Sequence, residues 1–314
     1  MLWFRVASIL LLIVANTLLH ATPLLLAALL KALVPVAAWR RAWNPVLTWL
    51  ASRWIAVNSA MIDRFTRTRF VVELPATLRE DGHYLVLANH QSWVDILVLQ
   101  KVFNDRIPFL RFFLKRQLFW VPVLGLCWWA LDYPFMGRYS RQQIARRPEL
   151  GERDRQAVRL ACAKFREIPV SVMNFVEGTR FTPEKHAAQG SPYRHLLKPK
   201  SGGVAFVIDA MGDTLHTVLD ATILYPGGRP SMIDLIAGRV PAVHIHVQER
   251  EIPPDLLGGD YTHDPAYRER FQRWINGLWD GKEMLIDQMA QAASMKVVHA
   301  DTANAADSRN ASAG

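Results

Sequence analysis

Cysteine is scarce: Cys127 and Cys162 are the only two in 314 residues. That excludes a disulfide framework, leaves too few thiolates for a cysteine-rich zinc module, and fits a reducing compartment. The G-x-S-x-G elbow is missing as well, which removes the most direct route to a serine nucleophile. No internal repeat and no Gly/Ser-rich linker divides the chain. Charged residues reach only 21% against 51% hydrophobic, so disordered and collagen-like architectures are excluded over most of the length. Acidic residues are in short supply, with 28 Asp and Glu against 37 Lys and Arg and a formal charge of +9. A mean hydropathy of +0.06 and eleven tryptophans accompany that charge. Basic and apolar together suit an anionic membrane surface better than nucleic acid, whose binders have no use for a long apolar segment.

That segment runs from Val6 to Ala38 (VASILLLIVANTLLHATPLLLAALLKALVPVAA). It is long enough to span the hydrocarbon core as one helix, but Pro23 divides it into two apolar pieces that each fall short of a span. One kinked span and a hairpin dipping into one leaflet are both open. Arg5 before the run and Arg40, Arg41 and Arg53 after it put positive charge on both flanks, which suits a hairpin with both ends cytoplasmic. The run is too long for a cleaved leader and lacks a small-x-small cleavage site. Residues 1–69 therefore read as a membrane-anchoring helical region.

Beyond Arg64 the pattern alternates. His83 to Ala88 reads as a buried strand, Trp93 to Phe103 as a helix, and Asp154 to Glu167 as an amphipathic helix with Val158, Ala161, Cys162 and Phe165 on its apolar face. Pro169 to Val176 is the next strand and Ser201 to Met211 the next helix, followed by strands at His216 to Tyr225 and Val240 to Gln248. Tyr267, Phe271, Trp274, Ile275 and Leu278 share one face of a long C-terminal helix. The expected fold is α/β, a central mixed sheet flanked by helices over 70–298. The polar, small-residue stretch at 299–314 reads as a disordered tail.

Two constellations carry chemistry. In LANHQSWVDILVL, His90 lies just past a strand and Asp95 at the start of the next helix. The two can meet only if His90 is outside that helix, and the strand end supplies this geometry. A carboxylate that fixes a histidine tautomer makes the second ring nitrogen a base able to take a proton from an alcohol. The bland alternative is that Ser92 and Asp95 form a capping box. In FVEGTRFTPEKH, Glu177, Gly178, Thr179 and Arg180 follow a strand. There glycine lets backbone amides approach an oxyanion, threonine adds a hydroxyl and arginine a forked cation, a phosphate cradle in outline. Its bland counterpart is a polar turn in which Glu177 pairs with Arg180. Both motifs sit at carboxyl ends of predicted strands, where open α/β sheets bind ligands.

N-H-Q-S-W-V-D at Asn89 to Asp95 and E-G-T-R at Glu177 to Arg180 resemble the first and third signature blocks of the glycerophospholipid acyltransferases of the PlsC type, the 1-acylglycerol-3-phosphate acyltransferases. The intervening FFLKRQLFWVPVLGLCWWALDYPFMGR resembles the second block, with Lys115, Leu118, Pro122, Gly125 and Arg138 in matching places. The resemblance covers roughly Phe70 to Tyr225. Two departures stand out: Val176 where many members have proline, and HTVLDATILY without the proline usual in the fourth block. The latter bears on acyl-chain or headgroup preference. The resemblance implies transfer of an acyl group from acyl-CoA or acyl carrier protein, as co-substrate with no other cofactor, to the sn-2 hydroxyl of 1-acylglycerol-3-phosphate. A closely related acceptor such as lysocardiolipin is the alternative within the class. It further implies His90 as base and Asp95 as its orienter. Glu177, Gly178, Thr179, Arg180 and Arg138 would hold the acceptor phosphate, and Lys115 would assist at the donor or the membrane.

Lys200 with Ser201 to Gly203 is an anion site at a helix start or a surface cap. Trp120, Trp128 and Trp129 are core or an interfacial surface. The basic stretch from Arg138 to Arg166 is a solvated face or an anionic-lipid contact. His244 and His246 share a strand face but lack a third metal ligand, so no metal is expected. The implied partners are membrane lipids, lysophospholipid and the acyl donor, without nucleic acid; the oligomeric state is open. The implied location is a bacterial inner membrane with the site on the cytoplasmic side. The rival from another class is a non-catalytic lipid-binding module.

Overall fold

The computed structural model describes residues 2–137, 139, 143 and 146–311, with side chains as far as residue 295. The chain opens with two long helices, α1 (Leu2–Leu33) and α2 (Ala37–Phe65). The break between them falls at 34–36 and not at Pro23, which lies inside α1. Pro35 disfavours the helical region at Val34 and so ends α1. Pro23 is accommodated because a neighbouring helix can support a proline inside an apolar helix, and α2 is bonded to α1 on its Asn16–Thr17 stretch. The two helices are clasped by polar groups in an apolar setting. Asn16 Nδ2 donates to Asn58 Oδ1 at 2.9 Å, and Trp54 Nε1 to Thr17 Oγ1 at 3.2 Å. Helix α1 is long and apolar enough to cross a membrane, and Leu11, Leu19, Leu29 and Leu33 on it are exposed.

After the hairpin come β1 (Arg69–Glu73), β2 (His83–Ala88), α3 (Val94–Phe103), β3 (Leu110–Phe112) and β4 (Leu114–Lys115). A 3-10 turn (Arg116–Trp120), α4 (Leu124–Ala130), β5 (Phe135–Met136), α5 (Pro148–Phe165) and β6 (Val170–Phe175) follow. The chain continues through α6 (Pro183–Gln189), α7 (Gly202–Met211), β7 (Thr217–Leu224), α8 (Met232–Ile236), β8 (Ala242–Glu251) and α9 (Pro265–Ala311).

The main sheet has the order β1-β8-β7-β2-β6-β3. It is mixed: β7 and β8 are antiparallel, while β2 pairs in parallel with both β6 and β7. With neighbours on both edges and helices on both faces, β2 reads as an uninterrupted apolar run. Its pleat sends Tyr84, Val86 and Ala88 to one side and Leu85 and Leu87 to the other. The first set packs with α3, α4 and the hairpin, including Leu24, Ala27 and Leu47. The second packs with α5, α7 and α9, including Phe165, Val204, Phe271 and Trp279. The expected α/β class, the mixed sheet and the buried α5 face of Val158, Ala161, Cys162 and Phe165 are all present.

Helix α9 continues to Ala311, through most of the stretch from 299 that small polar composition reads as a tail.

Candidate active site

Strand β2 ends at Ala88, and Asn89 closes it. The Asn89 side chain donates Nδ2–H to the Ile223 carbonyl and accepts the Ile223 amide, both at 2.9 Å. That side-chain pair replaces the next rung of the ladder and frees His90 to turn away. Asp95, in the first turn of α3, is fully buried. Its Oδ2 accepts from His90 Nδ1 at 2.9 Å and from the backbone amides of Gln91 at 2.6 Å and Ser92 at 2.8 Å. Its Oδ1 accepts from the Tyr225 hydroxyl at 2.6 Å. Asp95 therefore organises the loop before α3 and orients the histidine together. Ser92 makes no full capping box; its Oγ accepts from the Val94 amide at 3.1 Å and donates to the Pro230 carbonyl.

With Nδ1–H donated to a carboxylate, the lone pair lies on His90 Nε2. The ring stacks on Phe175, centroids 3.8 Å apart and planes within 13°, and its side chain is 12% exposed. A held tautomer, a ring braced on one face and a free second nitrogen are the requirements of a general base. The Tyr225 hydroxyl is pushed well above its ordinary range by burial and by the adjacent Asp95 charge, so it acts as a donor. Tyr225→Phe keeps the ring and removes that donor. We expect kcat to fall roughly three- to tenfold with KM unchanged, measured by steady-state acyl transfer.

The E-G-T-R loop is tied to the histidine from behind. The Phe181 amide donates to the His90 carbonyl at 2.8 Å. Glu177 Oε1 accepts the His90 amide at 3.2 Å and Oε2 the Leu197 amide at 3.3 Å. Glu177 is 1% exposed, and burial raises its carboxyl to about 8. Glu177, expected to touch a phosphate, turns both carboxyl oxygens inward onto backbone amides. It does not pair with Arg180 either. Gly178 follows with φ +70°, a conformation only glycine adopts without strain. Thr179 Oγ1 and the Arg180 carbonyl both accept from Lys185 Nζ, at 2.8 and 3.0 Å. The Arg180 guanidinium stacks on Trp93, 4.5 Å from its centroid, and Arg229 stacks on Phe181 at 3.7 Å. Both guanidinium groups sit over aromatic rings in cation–π contact, an arrangement compatible with N–H donation to a ligand.

His90, Asp95, Gly178, Thr179 and Arg180 are therefore drawn together. Lys115 is not: it is exposed on β4, opposite Met136, and no contact joins it to His90 among the described residues. Arg138 lies outside the described residues. Ser201 is buried, its Oγ bonded to Tyr261 and Gln272, and its side chain makes no cap bond to α7, so its hydroxyl serves neither as a surface cap nor as a free anion donor. Burial pushes the Cys127 thiol up to about 11 and the Cys162 thiol up to about 12, so neither is a nucleophile at neutral pH. His246 Nδ1 pairs with Glu73 at 2.7 Å. Among the described residues, His195, Glu283 and Asp287 could hold a cation. Glu283 already accepts the Arg194 and His195 amides, however, and His195 Nε2 meets Asp287 at 2.9 Å. As it stands, the cluster pins the loop carrying Leu197 to α9.

Residues 69–226 match the family model described as Acyltransferase. The chain belongs to the acyltransferase family. Among its relatives, 1-acyl-sn-glycerol-3-phosphate acyltransferase epsilon of Mus musculus is 23% identical over 224 residues, covering 64% of this chain and 56% of the relative. The delta enzyme of Mus musculus is 24% identical over 213 residues, 63% of this chain and 51% of that protein. Lysocardiolipin acyltransferase 1 of Mus musculus is 26% identical over 254 residues, 75% and 62% respectively. The chain thus spans about half to three-fifths of these relatives' length. The crystal structure of the 1-acyl-sn-glycerophosphate (LPA) acyltransferase PlsC from Thermotoga maritima is similar at TM-score 0.42 and 17% identity, over 82% of this chain and 97% of that one.

Tyr225, Lys185, Arg229 and Phe175 escaped the sequence reading. Lys185 lay in view, two residues past Thr-Pro in the quoted motif. Tyr225 and Arg229 carry no local signal, because their approach to Asp95 and Phe181 depends on β7 lying beside β2.

Proposed function

We propose that this chain is a membrane-bound acyltransferase that moves a fatty acyl group from acyl-CoA or acyl carrier protein to the sn-2 hydroxyl of 1-acylglycerol-3-phosphate, giving phosphatidate. The observation that carries the reading is His90 held by Asp95, with Nε2 unengaged among the described residues, on a loop bonded to the neighbouring loop that carries Arg180. His90 Nε2 takes the proton as the acceptor oxygen attacks the thioester carbonyl carbon. The C–S bond then breaks, and the departing thiolate receives the proton back from the imidazolium. A thioester is activated enough that no enzyme nucleophile is required. Arg180, Arg229 and Lys185 hold the acceptor phosphate, with Thr179 and the Gly178 backbone beside them. Arg138 and Lys115 stay with the proposal as further cations for acceptor and donor. Exposed leucines on α1 support a membrane-embedded hairpin, and the proposal sets the catalytic domain on the cytoplasmic face of a bacterial inner membrane.

The test is thiol release by the purified full chain in detergent, with acyl-CoA and acyl carrier protein thioesters as donors and several lysolipids as acceptors. We expect lysophosphatidate to be the preferred acceptor. Preference for lysocardiolipin, which the 26% identical relative makes the second reading, would overturn the acceptor assignment. Lipid binding without thiol release would favour the non-catalytic module. Arg229→Gln is expected to raise KM for a phosphate-bearing acceptor by about ten- to a hundredfold, the scale of one charge-assisted phosphate contact. It should leave KM for the acyl donor unchanged.

A further inference from the structure

Three large apolar side chains outside the hairpin, close in sequence, face solvent. Trp120 is 80% exposed, Trp129 60% and Leu126 48%. Helix α4 is two-sided: Cys127, Ala130 and Leu131 are buried, packed with Ala21 and Leu24 of α1 and Ala51 of α2, while Leu126 and Trp129, three residues apart, take the outer side. A folded protein uses its tryptophans inside unless something else covers them.

The segment is fixed in this outward pose. Val123 sits at φ +64°, a genuine outlier for a β-branched residue, of the kind that persists where the surroundings enforce it. A Cβ on Gly125 would meet the Phe119 carbonyl oxygen at 1.9 Å, so the two backbones touch and no larger residue fits. Phe119 braces the Trp120 ring edge-on at 5.4 Å and is itself held by Phe135 at 5.6 Å. At the far end, Asp132 accepts Lys31 of α1 at 3.4 Å and Lys164 of α5 at 2.5 Å. Lys115 and Arg116, beside Trp120, are exposed and have no acidic partner among the described ion pairs.

We propose that Trp120, Leu126 and Trp129, with Lys115 and Arg116, form a second membrane-contact surface whose occupant is the headgroup layer of the anionic leaflet that takes the hairpin. Indole rings favour that layer, cations beside them meet lipid phosphate, and the surface is continuous with α1 through the packing of α4. The inference rests on the hairpin being membrane-embedded. Its consequence is that the catalytic domain is held to the bilayer at two places, which fixes its tilt.

The test uses the full chain carrying either Leu126→Cys or Leu29→Cys, labelled with an environment-sensitive fluorophore. Cys127 and Cys162 are buried with raised thiols and do not compete for label. In phosphatidylcholine vesicles containing phosphatidylglycerol, both labels should shift to the blue, become about fivefold less quenched by iodide, and be quenched by brominated lipid. A protected label at 29 with an iodide-accessible one at 126 would overturn the second surface and leave the hairpin reading standing. Accessible labels at both positions would overturn both. Protection at 126 without quenching by brominated lipid would mean that a protein covers the patch, and would also overturn the proposal.

Discussion

His90→Ala is expected to lower kcat by about a thousandfold, within the range that a positioned general base contributes, while thermal unfolding of the purified chain stays close to that of the parent. Folding should survive because the ring is a minor part of the core, whereas the loop is fixed by Asn89 on Ile223 and by Asp95 on the Gln91 and Ser92 amides. Asp95→Asn probes the next link. The carboxylate takes four donors on two oxygens, and an amide offers one oxygen, so the histidine tautomer and the loop compete for it. We expect a loss in kcat of about a hundredfold, with a measurable drop in stability that His90→Ala does not show. A His90→Ala variant retaining more than a tenth of parental kcat would place the base elsewhere.

Much of this site was legible because it is local. A six-residue apolar strand followed by N-H-Q-S-W-V-D leaves one arrangement in which His90 and Asp95 meet, and the 2.9 Å contact realises it. What escaped was set by neighbours distant in sequence. Tyr225 reaches Asp95 across 130 positions. The inward direction of Glu177 depends on how the loop leaves β6, and a motif gives residue types without side-chain directions. The hairpin break moved from Pro23 to the segment containing Pro35 for a different reason: a proline inside an apolar helix is tolerated where a neighbouring helix supports it, and α1 is bonded to α2 through Asn16 and Thr17.

Behind the site, Lys282 of α9 is buried beneath the sheet. Its Nζ donates to the Ala221 carbonyl at 2.7 Å and pairs with Asp220 at 2.6 Å. Burial lowers the Lys282 ammonium from its usual range while Asp220 opposes that shift. Breaking such a pair on one side is costlier than never having built it. The C-terminal helix is thus bound to β7, the strand that carries Tyr225 toward Asp95 through its C-terminal end, and it also holds the loop with Leu197 through Glu283. The His90 loop is therefore held by elements from the last third of the chain.

Glu177 is where these constraints meet, and Glu177→Ala is expected to destabilise the protein by about 2–4 kcal/mol, because it leaves the buried amides of His90 and Leu197 without acceptors. The same residue gives a pH signature. Its folded value of about 8 lies above the ordinary 4.5, so the folded state keeps a proton that the unfolded chain releases. The stabilising contribution is fully present below about pH 4.5 and is lost as pH rises through about 8. Glu177→Gln stays neutral and lacks this dependence. In thermal melts across that window, the difference in Tm between wild type and Glu177→Gln should move steadily in favour of the glutamine variant as pH rises. Other titrating groups are common to both proteins and cancel in the difference. A difference that does not change with pH would show that the carboxyl is ionised throughout, held by the two amides and by Lys282, and its burial would then have to be rationalised as an ion pair with α9.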